Sequence, residues 1–256
     1  MGFLQIQKEN SIATILLNRP PANALSSGLI RELSDVLTTL ENDSAIKVIV
    51  LKGEGRFFSA GADIKEFTTI TTEADFAKLG AFGQEVFDRI EKFPKLIIAA
   101  IHGAALGGGL ELAMACHIRL VSEEAKLGLP ELQLGLIPGF AGTQRLPRYV
   151  GNAKALEMLV TSEPISGVEA VKWGLATAAY PESELFTKAY ELAHKATQKS
   201  AQSIRYTLDL LHYAARGQIG EGQKKESEYF GKVFMSEDGQ EGVTAFIEKR
   251  KPHFKQ

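Results

Sequence analysis

The sequence predicts an α/β protein with crossover connections, extended by a helical C-terminal region. Two observations carry that reading. Up to about residue 180, short apolar or alternating segments take turns with segments whose apolar residues recur every three to four positions. From about Glu182 onward only the helical period remains.

The elements follow in order. Phe3 to Lys8 alternates apolar and polar residues, and Ile12 to Leu17 is apolar and partly β-branched, so both read as strands. Ser26-Ser27 offer a cap to a helix whose stripe is Leu29, Ile30, Leu33, Val36, Leu37 and Leu40. Lys47 to Leu51 is a short buried strand closed by Gly53 and Gly55. After a Thr-rich stretch comes a helix carrying Phe76, Leu79, Phe82, Val86, Phe87 and Ile90, and Pro94 separates it from the strand Leu96 to Ile101. A Gly-rich turn then leads into a short helix through Glu111 to Cys116 and on to the strand His117 to Ser122. The terminal helices are expected over 184–199, 201–215, 221–234 and 241–249. Their apolar stripes need a partner, either each other or a neighbouring subunit.

A chain of 256 residues, 45% hydrophobic and 23% charged, fits one large core with a terminal appendage. A formal charge of −2 gives no global field toward nucleic acid or an acidic membrane, so neither is an expected partner. One cysteine, Cys116, excludes an internal disulfide and suits a reducing compartment. The first residues show no basic segment followed by an apolar one, and the most apolar run, Leu96 to Ile101, is far too short to span a bilayer. The expected location is cytoplasmic.

Three stations carry chemistry. Arg56-Phe57-Phe58-Ser59-Ala60-Gly61-Ala62-Asp63-Ile64 follows a buried strand, and His102-Gly103-Ala104-Ala105-Leu106-Gly107-Gly108-Gly109-Leu110-Glu111 joins a strand to a helix. Glycines at such a junction let a backbone N–H approach a ligand oxygen, and the helix start adds positive potential. Glu111, three residues after Gly108, shares a face of the first turn with that N–H. The third station is Leu129-Pro130-Glu131, a carboxylate among apolar neighbours. On these residues alone, the Gly-rich turns can equally be tight packing, and Glu131 an exposed glutamate at a helix start. Leu112 stands where a dinucleotide fingerprint needs its third glycine, Gly109 where a phosphate loop needs lysine, and Phe57 where a nucleophile elbow needs glycine. His102 and His117 lack metal-ligand spacing, and no metal is expected. Cys116 reads as packing.

Taken together, Phe58 to Asp63, Gly107 to Ala113, Pro130-Glu131 and Pro138-Gly139-Phe140-Ala141-Gly142-Thr143-Gln144-Arg145-Leu146 resemble the crotonase (enoyl-CoA hydratase/isomerase) superfamily, most closely its short-chain enoyl-CoA hydratases. The likeness runs from Asn18-Arg19-Pro20 to Lys251. It implies a spiral of ββα units over residues 1–182 and a helical region over 183–256 that builds trimers or hexamers. It also implies backbone N–H groups of Ala60 and Gly108 as an oxyanion hole, and Glu111 and Glu131 as catalytic carboxylates. Asp63 and Ile64 would line the coenzyme A, and Phe230 and Lys249 would contact its nucleotide, in part from an adjacent subunit. Coenzyme A enters as part of an acyl-CoA substrate, so no separate cofactor is expected. Leu129 departs from the pattern, standing where animal mitochondrial hydratases have Gln, and Ser162 replaces a more usual Gly.

The implied reaction adds water to a trans-2-enoyl thioester in fatty acid β-oxidation or related catabolism. Its rivals are a Δ3,Δ2-enoyl-CoA isomerase, which needs one carboxylate, and a non-catalytic CoA-binding or RNA-associated paralogue. A Rossmann oxidoreductase lacks its third glycine.

Overall fold

Apolar, β-branched runs between crossover helices are expected to be buried on both faces, and the runs Ile12–Leu17, Val48–Gly53 and Leu96–Ile101 are. The computed structural model describes residues 2–255. In chain order its strands are β1 (Leu4–Glu9), β2 (Ile12–Leu17), β3 (Val48–Gly53), β4 (Leu96–Ile101), β5 (Ala104–Leu106), β6 (Ile118–Ser122), β7 (Lys126–Gly128), β8 (Ile165–Ser166) and β9 (Ala178–Tyr180). The helices are α1 (Ser27–Asn42), α2 (Ile64–Phe67), α3 (Glu73–Glu91), α4 (Gly108–Ala115), α5 (Gly142–Val150), α6 (Asn152–Thr161), α7 (Gly167–Lys172), α8 (Glu182–Thr197), α9 (Ala201–Ala215), α10 (Ile219–Phe234) and α11 (Glu237–Ile247), with a short 3-10 turn at Glu131–Leu134.

The larger sheet has the order β1-β2-β3-β4-β6-β9, parallel except for the antiparallel pair β1 and β2. A smaller sheet, β5-β7-β8, stands beside it. The chain visits the two in turn: β4 then β5 then α4, and β6 then β7. Isolated bridges between Leu25 and Ala62 and between Ser59 and Ala105 continue the small sheet toward the N-terminus. The result is a winding of ββα units, the spiral expected from the resemblance.

Two cores flank the larger sheet. Ile49, Leu51, Ile97, Ala99 and Ile101 pack with α1, α3 and α4, while Val48, Val50, Ile98 and Ala100 pack with Leu185, Ala189 and Ala193 of α8. Helix α1 begins where Ser26 caps it, its hydroxyl accepting from the Leu29 N–H at 3.2 Å. Helix α8 falls in the expected C-terminal region, yet it covers the sheet, and the Tyr190 hydroxyl reaches Thr14 at 2.7 Å. Helices α9 and α10 have no fully buried residue. Among the described residues no helix is long and apolar enough to cross a membrane.

Candidate active site

The site forms where the third turn of the spiral leaves β5 and enters α4. Gly107 makes that corner with φ 50° and ψ −129°, a conformation open essentially to glycine, and a Cβ there would stand 2.9 Å from Glu131 Oε1. The next residue, Gly108, opens α4, and its N–H has no acceptor among the described residues. A Cβ on Gly108 would lie 3.3 Å from the Ala62 nitrogen, so the two backbone donors are neighbours.

The structure corrects the expected pairing of Ala60 with Gly108. The Ala60 N–H donates to the Ala22 carbonyl at 2.9 Å and is not free for a ligand. The reason is the pairing of 60–63 with 22–25: Leu25 donates to Gly61 O, and Asp63 donates to Leu25 O. Residues two apart in a regular strand point their N–H groups to the same side, but Gly61, with φ 108°, breaks that regularity between Ala60 and Ala62. Ala62, bridged to Leu25 but outside those bonds, has its N–H without an acceptor among the described residues. Ala60, Ala62 and Gly108 all line the same cavity, but Ala62 and Gly108 supply the free donors.

Glu111, in the first turn of α4, is 1% exposed. Its Oε1 accepts from the N–H groups of Phe140 at 2.8 Å and Gly142 at 2.7 Å. These converge because Ala141 between them adopts the left-handed conformation, φ 72°. Gly142 is needed for space, since a Cβ there would come 2.9 Å from Glu111 Oε1 and 3.0 Å from Leu129 Cδ1. Burial, and then the charge of Glu131, push the Glu111 carboxyl up to about 7, against the two N–H bonds and the nearby Arg145.

Glu131 begins the 3-10 turn after Pro130. Its Oε2 is buried with no partner among the described residues, and burial raises its pKa as well. Both carboxyl groups face one cavity of about 520 Å³. The walls are largely apolar, from Ile64 and Phe67 of α2, Phe76 and Leu79 of α3, and Leu134 to Phe140 of the following loop. Leu129 is fully buried.

Other expected residues are placed differently. Ile64 lines the cavity, but Asp63 does not. The Asp63 carboxylate pairs with Arg19 and caps α2 by accepting from the Lys65 N–H at 3.1 Å. Phe230, on α10 and 76% exposed, and Lys249, exposed with φ 55°, do not line the cavity of their own chain. His117 accepts from the Ile97 N–H, and burial lowers its pKa to about 4. Cys116 is buried in the core, its thiol pushed up to about 12. The sequence displayed the Pro138–Leu146 motif but not its task, which is to hold Glu111.

Two buried carboxyl groups of raised pKa cannot both ionise cheaply, so the pair can divide acid and base roles. Two free N–H groups at a strand–helix corner can stabilise a developing oxyanion.

The comparisons with known proteins agree with this chemistry. Residues 7–256 match the family described as Enoyl-CoA hydratase/isomerase. The chain is 55% identical, over 100% of its length and 99% of the relative's, to the probable enoyl-CoA hydratase of Bacillus subtilis (strain 168). It is 40% identical to the short-chain-enoyl-CoA hydratase of Clostridium acetobutylicum, covering 96% and 95% of the two chains. The crystal structure of an enoyl-CoA hydratase from Bacillus anthracis superposes with a TM-score of 0.94 at 35% identity, covering 99% of each chain.

Proposed function

The chain belongs to the enoyl-CoA hydratase/isomerase family, and from that membership we infer that it is an enoyl-CoA hydratase, adding water reversibly to a trans-2-enoyl-CoA to give the 3-hydroxyacyl-CoA. One observation carries this reading to the site. Two glutamates from separate elements, Glu111 and Glu131, face one apolar cavity beside the free N–H groups of Ala62 and Gly108.

In the proposed reaction the thioester oxygen sits between the Ala62 and Gly108 N–H groups. Water attacks C3, the C2–C3 π electrons move toward the thioester, and the enolate charge collects on that oxygen. One such donor is worth roughly 3 kcal/mol in the transition state. The glutamate pair removes a proton from water and delivers one to C2, so the net change is addition of H and OH. The unpartnered Glu131 Oε2 supports a role in holding that water. An isomerase needs one carboxylate to shuttle a proton, and the presence of both in one cavity favours hydration.

Coenzyme A belongs to the substrate in this proposal. Ile64 borders its path, and Phe230 and Lys249 contact its nucleotide from an adjacent copy in a trimer or hexamer. The exposed apolar residues of α10 and α11 support that assembly. A cytoplasmic enzyme of fatty acid β-oxidation completes the proposal; the lone, buried Cys116 fits a reducing compartment.

The test is loss of conjugated enoyl-thioester absorbance with crotonyl-CoA and longer homologues. Turnover of none of them, by folded protein, would sink the hydratase reading.

A further inference from the structure

We propose that Arg145 is a positioning residue for hydration, fixing the turn whose N–H groups hold Glu111. The inference rests on the hydratase reading for its meaning in catalysis, and on geometry for its substance.

The turn Gly139–Gly142 carries both hydrogen bonds to Glu111 Oε1, and Ala141 within it is left-handed. A non-glycine residue in that conformation costs free energy and must be held by its surroundings. Arg145 does the holding. Its backbone N–H donates to Ala141 O at 3.0 Å, and its Nη1 donates to Phe140 O at 3.0 Å. The remaining donors reach α3: Nε to Glu91 Oε2 at 3.0 Å and Nη2 to Asp88 Oδ1 at 2.5 Å. A planar guanidinium can serve three acceptors in three directions, whereas an ammonium offers a point charge.

The peptide joining Gly139 to Phe140 is anchored at its other end too. Gln84 of α3 donates to Gly139 O at 2.9 Å, while the N–H of that same peptide donates to Glu111. Helix α3, the turn and Glu111 thus form one hydrogen-bonded chain, with Arg145 as its buried, charged member. Its side chain is only 3% exposed.

The charged groups around Glu111 are Glu131 from the 3-10 turn and Arg145 from α5, with Asp88 and Glu91 of α3 and Arg148 of α5 beyond Arg145. The charge of Arg145 favours ionised Glu111. A purely structural ion pair would support stability and leave kcat of the folded variants alone. A positioning residue changes both the aim of the two N–H groups and the field at the carboxyl.

The experiment compares wild type, Arg145→Lys and Arg145→Gln in crotonyl-CoA hydration against pH, with infrared titration of the Glu111 carboxyl read as a difference from Glu111→Gln. Arg145→Gln should lose roughly ten- to hundred-fold in kcat, with KM within about twofold. Its Glu111 titration should move up, since an attractive cation has gone. Arg145→Lys, which keeps the charge and loses the fork, should recover part of kcat and keep the titration near wild type. Folded Arg145→Gln with unchanged kcat and an unshifted titration would overturn the inference. If that variant does not fold, wild-type kcat in Arg145→Lys overturns it alone. Absence of hydration in wild type would instead reject the hydratase reading, and the infrared titration would still decide whether Arg145 governs Glu111.

Discussion

Glu111 is a carboxyl group kept from water in a folded protein, and its raised pKa makes it a cost to stability when charged. In the unfolded chain it titrates near 4.5, in the native state at about 7. Between those values the native state holds more protons, so stability falls as pH rises through the window and is flat above it. Glu111→Gln removes that dependence. Relative to wild type, the variant should gain on the order of 3 kcal/mol between pH 4.5 and 7, measured as the change in the difference between their urea unfolding free energies. A difference independent of pH would reject the raised pKa. In catalysis the same substitution should be ruinous: Glu111→Gln and Glu131→Gln should each lose roughly 10²–10⁴-fold in hydration rate, and the double variant little more, because the pair acts on one water. Near-wild-type rates in either single variant would break the two-glutamate assignment. The sequence made this cavity partly legible, because Glu111 must share a helix face with the Gly108 N–H and because Glu131 follows Pro130. It misled at Ala60, two residues short of the free donor. Which N–H faces the cavity depends on the turn at Gly61, φ 108°, and on the pairing of 60–63 with 22–25, both set in the folded chain. A bound 3-hydroxyacyl-CoA should place its thioester oxygen about 2.7–3.1 Å from the Ala62 and Gly108 nitrogens, and contact with the Ala60 nitrogen would reverse the correction.

At the scale of elements, α4 is the part the site depends on. All eight of its residues are buried, and Gly109 packs so close that a Cβ would stand 2.3 Å from Ser59 O. Its C-terminal end is buried too, which leaves carbonyl groups needing donors. Arg119, 4% exposed, supplies them through Nη1, which donates to Cys116 O at 2.6 Å and Ala113 O at 3.3 Å, while its Nε ties the helix end to Leu175 O at 2.7 Å. A cation there also complements the negative end of the helix. Arg119→Met should therefore destabilise the protein by roughly 3 kcal/mol or more, measured by urea unfolding, and a loss under about 1 kcal/mol would show that water replaces the arginine. Elements of this kind were unevenly legible. The strands β2 and β4 and the helix α9 stand where their apolar patterns place them, because each is long enough for a period to show. β5, β7 and β8 have two or three residues each, too few to display any alternation, and only the winding of the spiral pairs them. The helical period of α8 was visible, but a stripe such as Leu185, Ala189 and Ala193 does not say whether it meets a sheet or another helix.

For the whole molecule, the decisive contrast lies between the two ends of the chain. Up to α8, exposed apolar side chains such as Ile137 and Leu156 are scattered around a large buried core. Beyond it, Leu211, Phe230, Met235, Phe246 and Ile247 are each more than 60% exposed, a concentration of apolar side chains that in water favours association. The proposed trimer or hexamer covers them, and light scattering should give three or six times 27.9 kDa. A sharp monomer at micromolar concentration would end that proposal, and truncation before Glu221 should yield insoluble protein. Assembly also bears on the substrate. If Lys249 of one copy meets the nucleotide bound to the next, its charge acts far from the reacting carbons, equally in ground and transition states. Lys249→Ala should then raise KM by several-fold with a smaller change in kcat, and the rise should shrink with added salt as the lost ion pair is screened in wild type. Two controls separate the alternatives. An unchanged KM at low salt removes Lys249 from the site, whereas a raised KM accompanied by a smaller particle means that the residue supports assembly and contacts the nucleotide only through it.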